Sequence, residues 1–429
     1  MDDLLTSYSA AIDALFARTT KGTKFGLERT YAILAKMGSP QERLTAIHVA
    51  GTNGKGSVVA TAEALLRATG QRVGRYTSPH LIDFRERITV NGVPITEEAV
   101  LEFLEKWIPA AEALGATFFE LTTALAFDWF AAKNVDVAVI ETGLGGRLDS
   151  TNVLIPRVAT VTSIGLDHLD LLGNTLEAIA REKAGIFKRG VPAVIGEADP
   201  SIAELLERCA KEAGAGPLTI IDDSYRLSGV EVSESGTSFT LVHGADRERF
   251  ATPLIGTYQA RNTATALATV SALGENYQPA PKKINGALAR VFLPGRFQRS
   301  GKFIFDVGHN PDGARTVANS LHALNPPGPR TALLAVLADK DWRGIIRALA
   351  PEVDRFILTN ASSAPPERRW DPKEAMAFTQ AESLRADLEP DIDVALERAR
   401  TESETVVVTG SFHTVGDVMS RLQVSPFAA

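Results

Sequence analysis

Short β-branched runs alternate along this chain with longer amphipathic stretches, and that alternation limits the fold more than any other feature. The runs at 45–49, 72–76, 135–141, 158–163 and 192–195 read as strands, with helical spacing at 56–69, 97–114, 121–133 and 176–187. Strands this short, separated by amphipathic helices, predict βαβ units and a mostly parallel sheet. Such a sheet binds its ligands beyond the carboxyl ends of its strands. Between 218 and 254 the pattern changes to polar alternation with turn signals such as Ser235-Gly236, which predicts a small antiparallel insert. A helix at 259–273 follows, then the turn Leu293-Pro294-Gly295-Arg296 and a second alternating series at 303–307, 331–337, 355–359 and 405–409. The expected architecture is α/β in two parts. Residues 1–295 form a P-loop-type, mostly parallel sheet domain with a small β insert. Residues 296–429 form a smaller Rossmann-like α/β domain, with a cleft between the two.

Composition narrows the function. A chain of 429 residues can bury a sizeable core unaided. Its net charge of −7, from 45 basic and 52 acidic residues, offers no field for a polyanion, so no nucleic-acid partner is expected. The single cysteine, Cys209, excludes an internal disulfide and a multi-cysteine metal site. The acidic start Met1-Asp2-Asp3 lacks the features of a secretory signal, and the apolar segments are short, the one at 124–132 being interrupted by Asp128. A cytoplasmic protein with no membrane partner is the expectation, with a monomer as the default state.

The most informative motif is Gly51-Thr52-Asn53-Gly54-Lys55-Gly56-Ser57, set between a strand and a helix. Glycines let backbone amides turn toward phosphate oxygens, the helix N-terminus adds partial positive charge and Lys55 a full one. The spacing departs from the common P-loop: Val49 stands at the first glycine position, and Gly56 separates Lys55 from Ser57. A second cluster, Glu141 to Asp149, follows an apolar strand. A carboxylate at that strand end suits a magnesium ion on nucleotide phosphates, or else a turn-capping role. Asp149 could accept hydrogen bonds from an amino-heterocycle. A third, Ser163-Ile164-Gly165-Leu166-Asp167-His168, leaves His168 open as ligand, base or structural residue. Lys183, beside Glu182 on a helical stretch, reads by itself as a surface lysine. Asp306 to Pro311 and Gly410-Ser411-Phe412-His413 end strands of the second series, while Arg368-Arg369-Trp370 reads as a solvated loop.

Taken in order, these segments resemble the folylpolyglutamate synthase/dihydrofolate synthase family of Mur-ligase-like, ATP-dependent amide-bond-forming enzymes. The resemblance runs from Phe25-Gly26-Leu27-Glu28-Arg29 to Gly410-Ser411-Phe412-His413-Thr414-Val415, and includes Thr77-Ser78-Pro79-His80-Leu81 and 294–298. It implies that Thr52, Asn53, Gly54, Lys55, Gly56 and Ser57 hold the ATP triphosphate, and that Asn262, Arg296 and Asp306 contact ATP from the domain junction and second domain. It implies two magnesium ions held by Ser78, Glu141 and His168, with Ser57 a further ligand. Thr117, Phe118, Phe119 and Glu120 with Leu148, Asp149 and Ser150 match a pterin-side pocket, edged by Thr23, Lys24 and Phe25. Lys183 matches a lysine that is carbamylated in this family, and His309 and Ser411 match the side of the incoming glutamate. Lys55, Lys183 and His309 are then the catalytic candidates.

The implied reaction joins L-glutamate to dihydropteroate, to the glutamate tail of reduced folates, or to both, through an acyl phosphate; both activities are favoured. Departures from the family pattern are small: Val307 and Gly308 stand where many members have Gly and Ala, and Thr77 where a second serine is common. A Mur-type ligase acting on a UDP-linked peptidoglycan precursor would share the ATP loop. The runs at 148–152 and 77–81, the Phe119-Glu120 pair and the start of the loop at residue 51 favour the folate substrate. A non-catalytic nucleotide-binding regulator would have no need to keep Lys55, Glu141, His168 and Lys183 together.

Overall fold

In the computed structural model, which describes residues 7–17 and 26–427, the first alternating series forms one eight-stranded sheet. Its order is Val93–Pro94, Ile88–Val90, Val73–Tyr76, Val137–Glu141, Ala46–Ala50, Val158–Val161, Ala193–Ile195 and Leu218–Ile220. The six strands from Val73–Tyr76 onward run parallel, and the two at the other edge are antiparallel. Side chains alternate across this sheet as strand geometry requires. Ala46, Tyr76, Ala138 and Ile140 join one apolar cluster with the helices Glu97–Leu114 and Phe118–Ala132. Ile47, Val49, Val73, Val137, Val139 and Val158 join another, under the helices Lys55–Arg67 and Tyr258–Leu273. Both faces are therefore covered, which is why the central strands read as continuous apolar runs.

The antiparallel insert is a three-stranded sheet of Arg226–Ser233, Gly236–His243 and Asp246–Thr252. The second series forms a six-stranded sheet in the order Gln298–Ser300, Phe303–Phe305, Thr405–Thr409, Arg330–Leu334, Arg355–Leu358, Ala386–Leu388, parallel except for its first pair. Phe305, Leu333, Ile357, Val406 and Val408 pack on one face, while Ile304, Ala332, Leu334, Phe356 and Val407 pack on the other.

Two sequence expectations need correction. The helix expected from 121 begins at Phe118, because Thr117 and Glu120 form a capping box that starts it one turn earlier. Trp370, read as part of a solvated loop, is 4% exposed and packs edge-on against Trp342, its indole N–H donating to the Thr359 carbonyl.

Candidate active site

The strand Ala46–Ala50 pairs with Val137–Glu141 on one side and Val158–Val161 on the other, with Val49 opposite Glu141 and Ala50 opposite Val161. The loops leaving these three strands therefore emerge side by side, and the glycine-rich loop lies between the other two. The Thr52 N–H donates to the Ser163 carbonyl at 2.6 Å, and the Asn53 carbonyl accepts from the Thr162 hydroxyl at 2.7 Å and the Ser163 hydroxyl at 3.0 Å. Gly54, at φ 86°, turns the chain into the helix Lys55–Arg67, and a Cβ there would meet Asn262 Oδ1 at 2.6 Å. Only glycine gives both the left-handed turn and that approach. Asn262 is thus placed beside the phosphate loop by the helix Tyr258–Leu273.

Two lysines converge on one oxygen. Lys55 Nζ donates to the Gly51 carbonyl at 2.9 Å and to the Thr52 carbonyl at 3.1 Å, and Lys183 Nζ donates to the same Gly51 carbonyl at 2.8 Å. Lys183 is buried, and the desolvation of its ammonium, aided by the neighbouring charge of Lys55, lowers its pKa to about 7. Burial likewise lowers Lys55, against the pull of Glu141, whose Oε1 is 3.9 Å away. Lys183 is therefore not a surface lysine but part of the floor of the phosphate loop.

Glu141 is buried at its strand end, 3.4 Å from the Ser78 N–H, and burial raises its pKa against Lys55 and Arg296. The hydroxyls of Ser57 and Ser78 make no hydrogen bond to described residues. A carboxylate and two unengaged hydroxyls are hard oxygen donors of the kind magnesium takes when phosphates and water complete its shell. Among the described residues no three acidic, histidine or cysteine side chains converge to hold a metal by themselves. His168 Nε2 lies 3.4 Å from Lys340 Nζ, and burial lowers its pKa to about 4, so the imidazole is neutral, the form in which histidine ligates a metal.

On the pterin side the expected acids are engaged by the protein. Asp149 accepts the N–H groups of Gly143 and Leu144, each at 2.8 Å, and both the N–H and hydroxyl of Thr151. Its four lone-pair positions are filled, so it holds the 143–151 loop in shape. Glu120 is held by Thr117 and by Arg29 at 3.0 Å. The Phe119 ring lies against Gly143 and 6.1 Å from Tyr76, and Phe118 stacks on Phe16 at 4.8 Å. Leu148 is half-buried and Ser150 buried in the same loop. Thr23, Lys24 and Phe25 lie outside the described residues.

The second sheet brings its strand ends to the same place. Asp306 accepts the Phe297 and Gly308 N–H groups, each at 2.8 Å, and the Arg296 guanidinium lies 5.2 Å from the centre of the Phe412 ring. Ser411 caps the helix Phe412–Arg421, its hydroxyl bonded to Thr414. A cavity of about 90 Å³ has Gly56, Ser78 and Glu141 on one wall and Arg296 and Phe412 on the other.

Sequence reasoning passed over the residue that joins the two halves. Asp167 accepts from Lys340 Nζ at 2.5 Å and lies 3.1 Å from His309 Nε2 and 3.4 Å from Asn310 Nδ2. Burial alone would raise its carboxyl, but the His309 hydrogen bond and the charges of His309, His168 and Lys340 hold it well below the usual range. Asn310 also reaches Asn53 of the phosphate loop at 3.3 Å. The only sequence signal was the polar pair Asp167-His168 after a strand, in which the histidine drew the attention.

Comparison with known proteins decides the family. The Mur ligase middle domain matches residues 49–270, and the Mur ligase glutamate ligase domain matches residues 295–412. The chain belongs to the Mur ligase family. Within it, the chain is 34% identical to the dihydrofolate synthase/folylpolyglutamate synthase of Bacillus subtilis, over 98% of this chain and 100% of that one. Its fold superposes on Escherichia coli FolC in complex with DHPP and ADP with a TM-score of 0.86, at 33% identity and covering 98% of each chain. It also matches a bifunctional folylpolyglutamate synthase/dihydrofolate synthase with Mn, AMPPNP and L-glutamate bound, at a TM-score of 0.84 and 33% identity, over 98% of this chain and 99% of that one. This places it in the dihydrofolate synthase/folylpolyglutamate synthase branch of these ATP-dependent ligases. No helix among the described residues is long and apolar enough to cross a membrane.

Proposed function

We propose that this protein joins L-glutamate to dihydropteroate and to the glutamyl tail of reduced folates, at the expense of ATP. The observation that carries the reading is the meeting of Lys55, Lys183 and Glu141 at the phosphate loop, with Asn310 and His309 reaching in from the second sheet. The loop amides and Lys55 hold the triphosphate. Asn262, Arg296 and Asp306 receive the rest of the nucleotide at the junction. Magnesium, as two ions, would be held by Ser57, Ser78, Glu141, His168 and a carbamate on Lys183, and would neutralise phosphate charge during transfer.

An acceptor carboxylate lying along Phe119, Leu148 and Ser150 points toward Glu141. Its oxygen attacks the γ-phosphorus, forming an acyl phosphate and releasing ADP. The glutamate amine, presented from the side of His309 and Ser411, then attacks the acyl carbon, expels phosphate and loses its proton. Lys55 stabilises charge on the transferring phosphoryl group, and apposition of the two sheets holds the groups in line and keeps water from the acyl phosphate.

ADP release should be measured with Mg-ATP and L-glutamate, adding dihydropteroate or a reduced folate. Turnover with both acceptors is expected. Silence with both, in protein that binds ATP, would overturn the reading. Lys55→Ala should lower kcat by roughly 10²–10³-fold, the scale of losing one preorganised charge-stabilising donor.

A further inference from the structure

Arg87 is 6% exposed, yet no carboxylate pairs with it among the described residues. Nearby arginines differ: Arg75 pairs with Glu63 at 2.9 Å, Arg85 with Asp83 at 2.6 Å and Arg29 with Glu120 at 3.0 Å. The adjacent acid, Glu86, is occupied by the N–H groups of Leu81, Ile82 and Asp83. Arg87 uses one donor, Nε, to His80 Nδ1 at 2.7 Å, and its guanidinium lies 5.2 Å from the centre of the Phe118 ring. The two Nη groups find no acceptor among the described residues. A buried cation without a counter-ion is costly, and a guanidinium with both Nη groups free is shaped for a carboxylate.

Its position says which carboxylate. The Arg87 carbonyl accepts the Thr77 N–H at 3.0 Å, and the N–H of the next residue, Ser78, faces Glu141. Arg87 thus lies close to the reacting centre but forms no ion pair with Glu141, the partner of Lys55 there. Its guanidinium faces Phe118, which the family resemblance assigns to the pterin-side pocket. The reacting carboxylate belongs to Lys55 and Glu141, so the anion at Arg87 is a second one. We infer that Arg87, oriented by His80, binds a non-reacting carboxylate of the acceptor, the α-carboxylate of its glutamyl unit. This rests on the folate reading above. Dihydropteroate has a single carboxylate, which must react, so it presents no such group, and Arg87 would separate the two acceptors.

The test compares a reduced folate, the same folate with its α-carboxylate converted to the amide, and dihydropteroate, in wild type and in Arg87→Met and Arg87→Lys. Wild type should prefer the α-carboxylate over the amide by roughly tenfold to hundredfold in kcat/KM, mainly through KM, as expected for a charge-assisted pair. Arg87→Met should abolish that preference, and Arg87→Lys should keep only part of it, because the fork is lost. Each preference is a ratio within one preparation, so a lower folded fraction cancels. Arg87→Met should also lose folate at least tenfold more than dihydropteroate. An undiminished preference in Arg87→Met, or equal losses for both acceptors, would overturn the assignment. Equilibrium binding of the folate and its amide keeps the two readings apart. Wild type that binds the folate more tightly than the amide but turns over neither acceptor overturns the ligase reading alone, while equal binding of the pair overturns the role of Arg87.

Discussion

Lys183 offers the sharpest chemical prediction. Its amine is buried and carries a pKa of about 7, lowered from 10.5 chiefly by desolvation and then by Lys55. At pH 8 a lysine of ordinary pKa is neutral in about one molecule in 300, whereas at a pKa of about 7 roughly nine in ten are neutral. Burial therefore multiplies the nucleophilic form by a factor on the order of 300. The neutral amine attacks carbon dioxide at carbon, forming the N–C bond and releasing one proton, and the product is an anionic carbamate. Protein equilibrated with ¹³C-bicarbonate at pH 8 should show one labelled carbamate per chain by ¹³C NMR. At pH 6, where about one amine in ten is neutral, the label should fall, and Lys183→Ala should show none. An unlabelled protein at pH 8, or the same label in Lys183→Ala, would refute the reasoning. The same depression makes stability depend on pH. Between about 7 and 10.5 the unfolded chain holds a proton that the native amine has lost, so this group's penalty is full below pH 7 and fades as pH rises. A shift of this size corresponds to at most about 5 kcal/mol.

Asp167→Asn leaves Lys340, whose side chain is only 7% exposed, without its carboxylate, and should cost about 3–5 kcal/mol in urea unfolding; an unchanged midpoint would exclude this ion pair as a tie between the sheets. In Gly146→Ala the new Cβ would meet the carbonyls of Lys183 at 2.7 Å and Glu182 at 2.9 Å, so a loss of about 1–3 kcal/mol and a weaker carbamate signal are expected, and a wild-type Tm would contradict the close contact. Thr151→Val removes the hydroxyl that joins His48 Nε2, 2.8 Å away, to Asp149, and should cost about 1–3 kcal/mol with recovery in Thr151→Ser; equal stability of the two variants would show that the link contributes nothing.

The elements that could be read from the chain were those with a local signal. The strand Ala46–Ala50, the glycine loop and the helix after it are consecutive, so period and turn chemistry sufficed. Ile88–Val90, one strand in from its sheet edge, and the edge strands Gln298–Ser300 and Ala386–Leu388 have three residues each, too few to display a period, and their pairing comes from neighbours in the sheet. Trp370 follows two arginines, and only the second core turns it inward.

The sequence by itself determined the α/β alternation, the phosphate loop and, through its ordered motifs, the family resemblance. Tertiary structure alone decided the state and partners of the side chains. Lys183 joins Lys55 across 128 positions only because their elements meet at the Gly51 carbonyl, and burial there changes its acidity. Asp167 finds Lys340 173 residues away, in the loop before the helix Trp342–Leu349, and Arg87 has no carboxylate partner among the described residues because Glu86 and Glu141 are engaged by other groups. Desolvation and pairing depend on what lies within a few ångströms in space, and no local pattern in the chain carries that information.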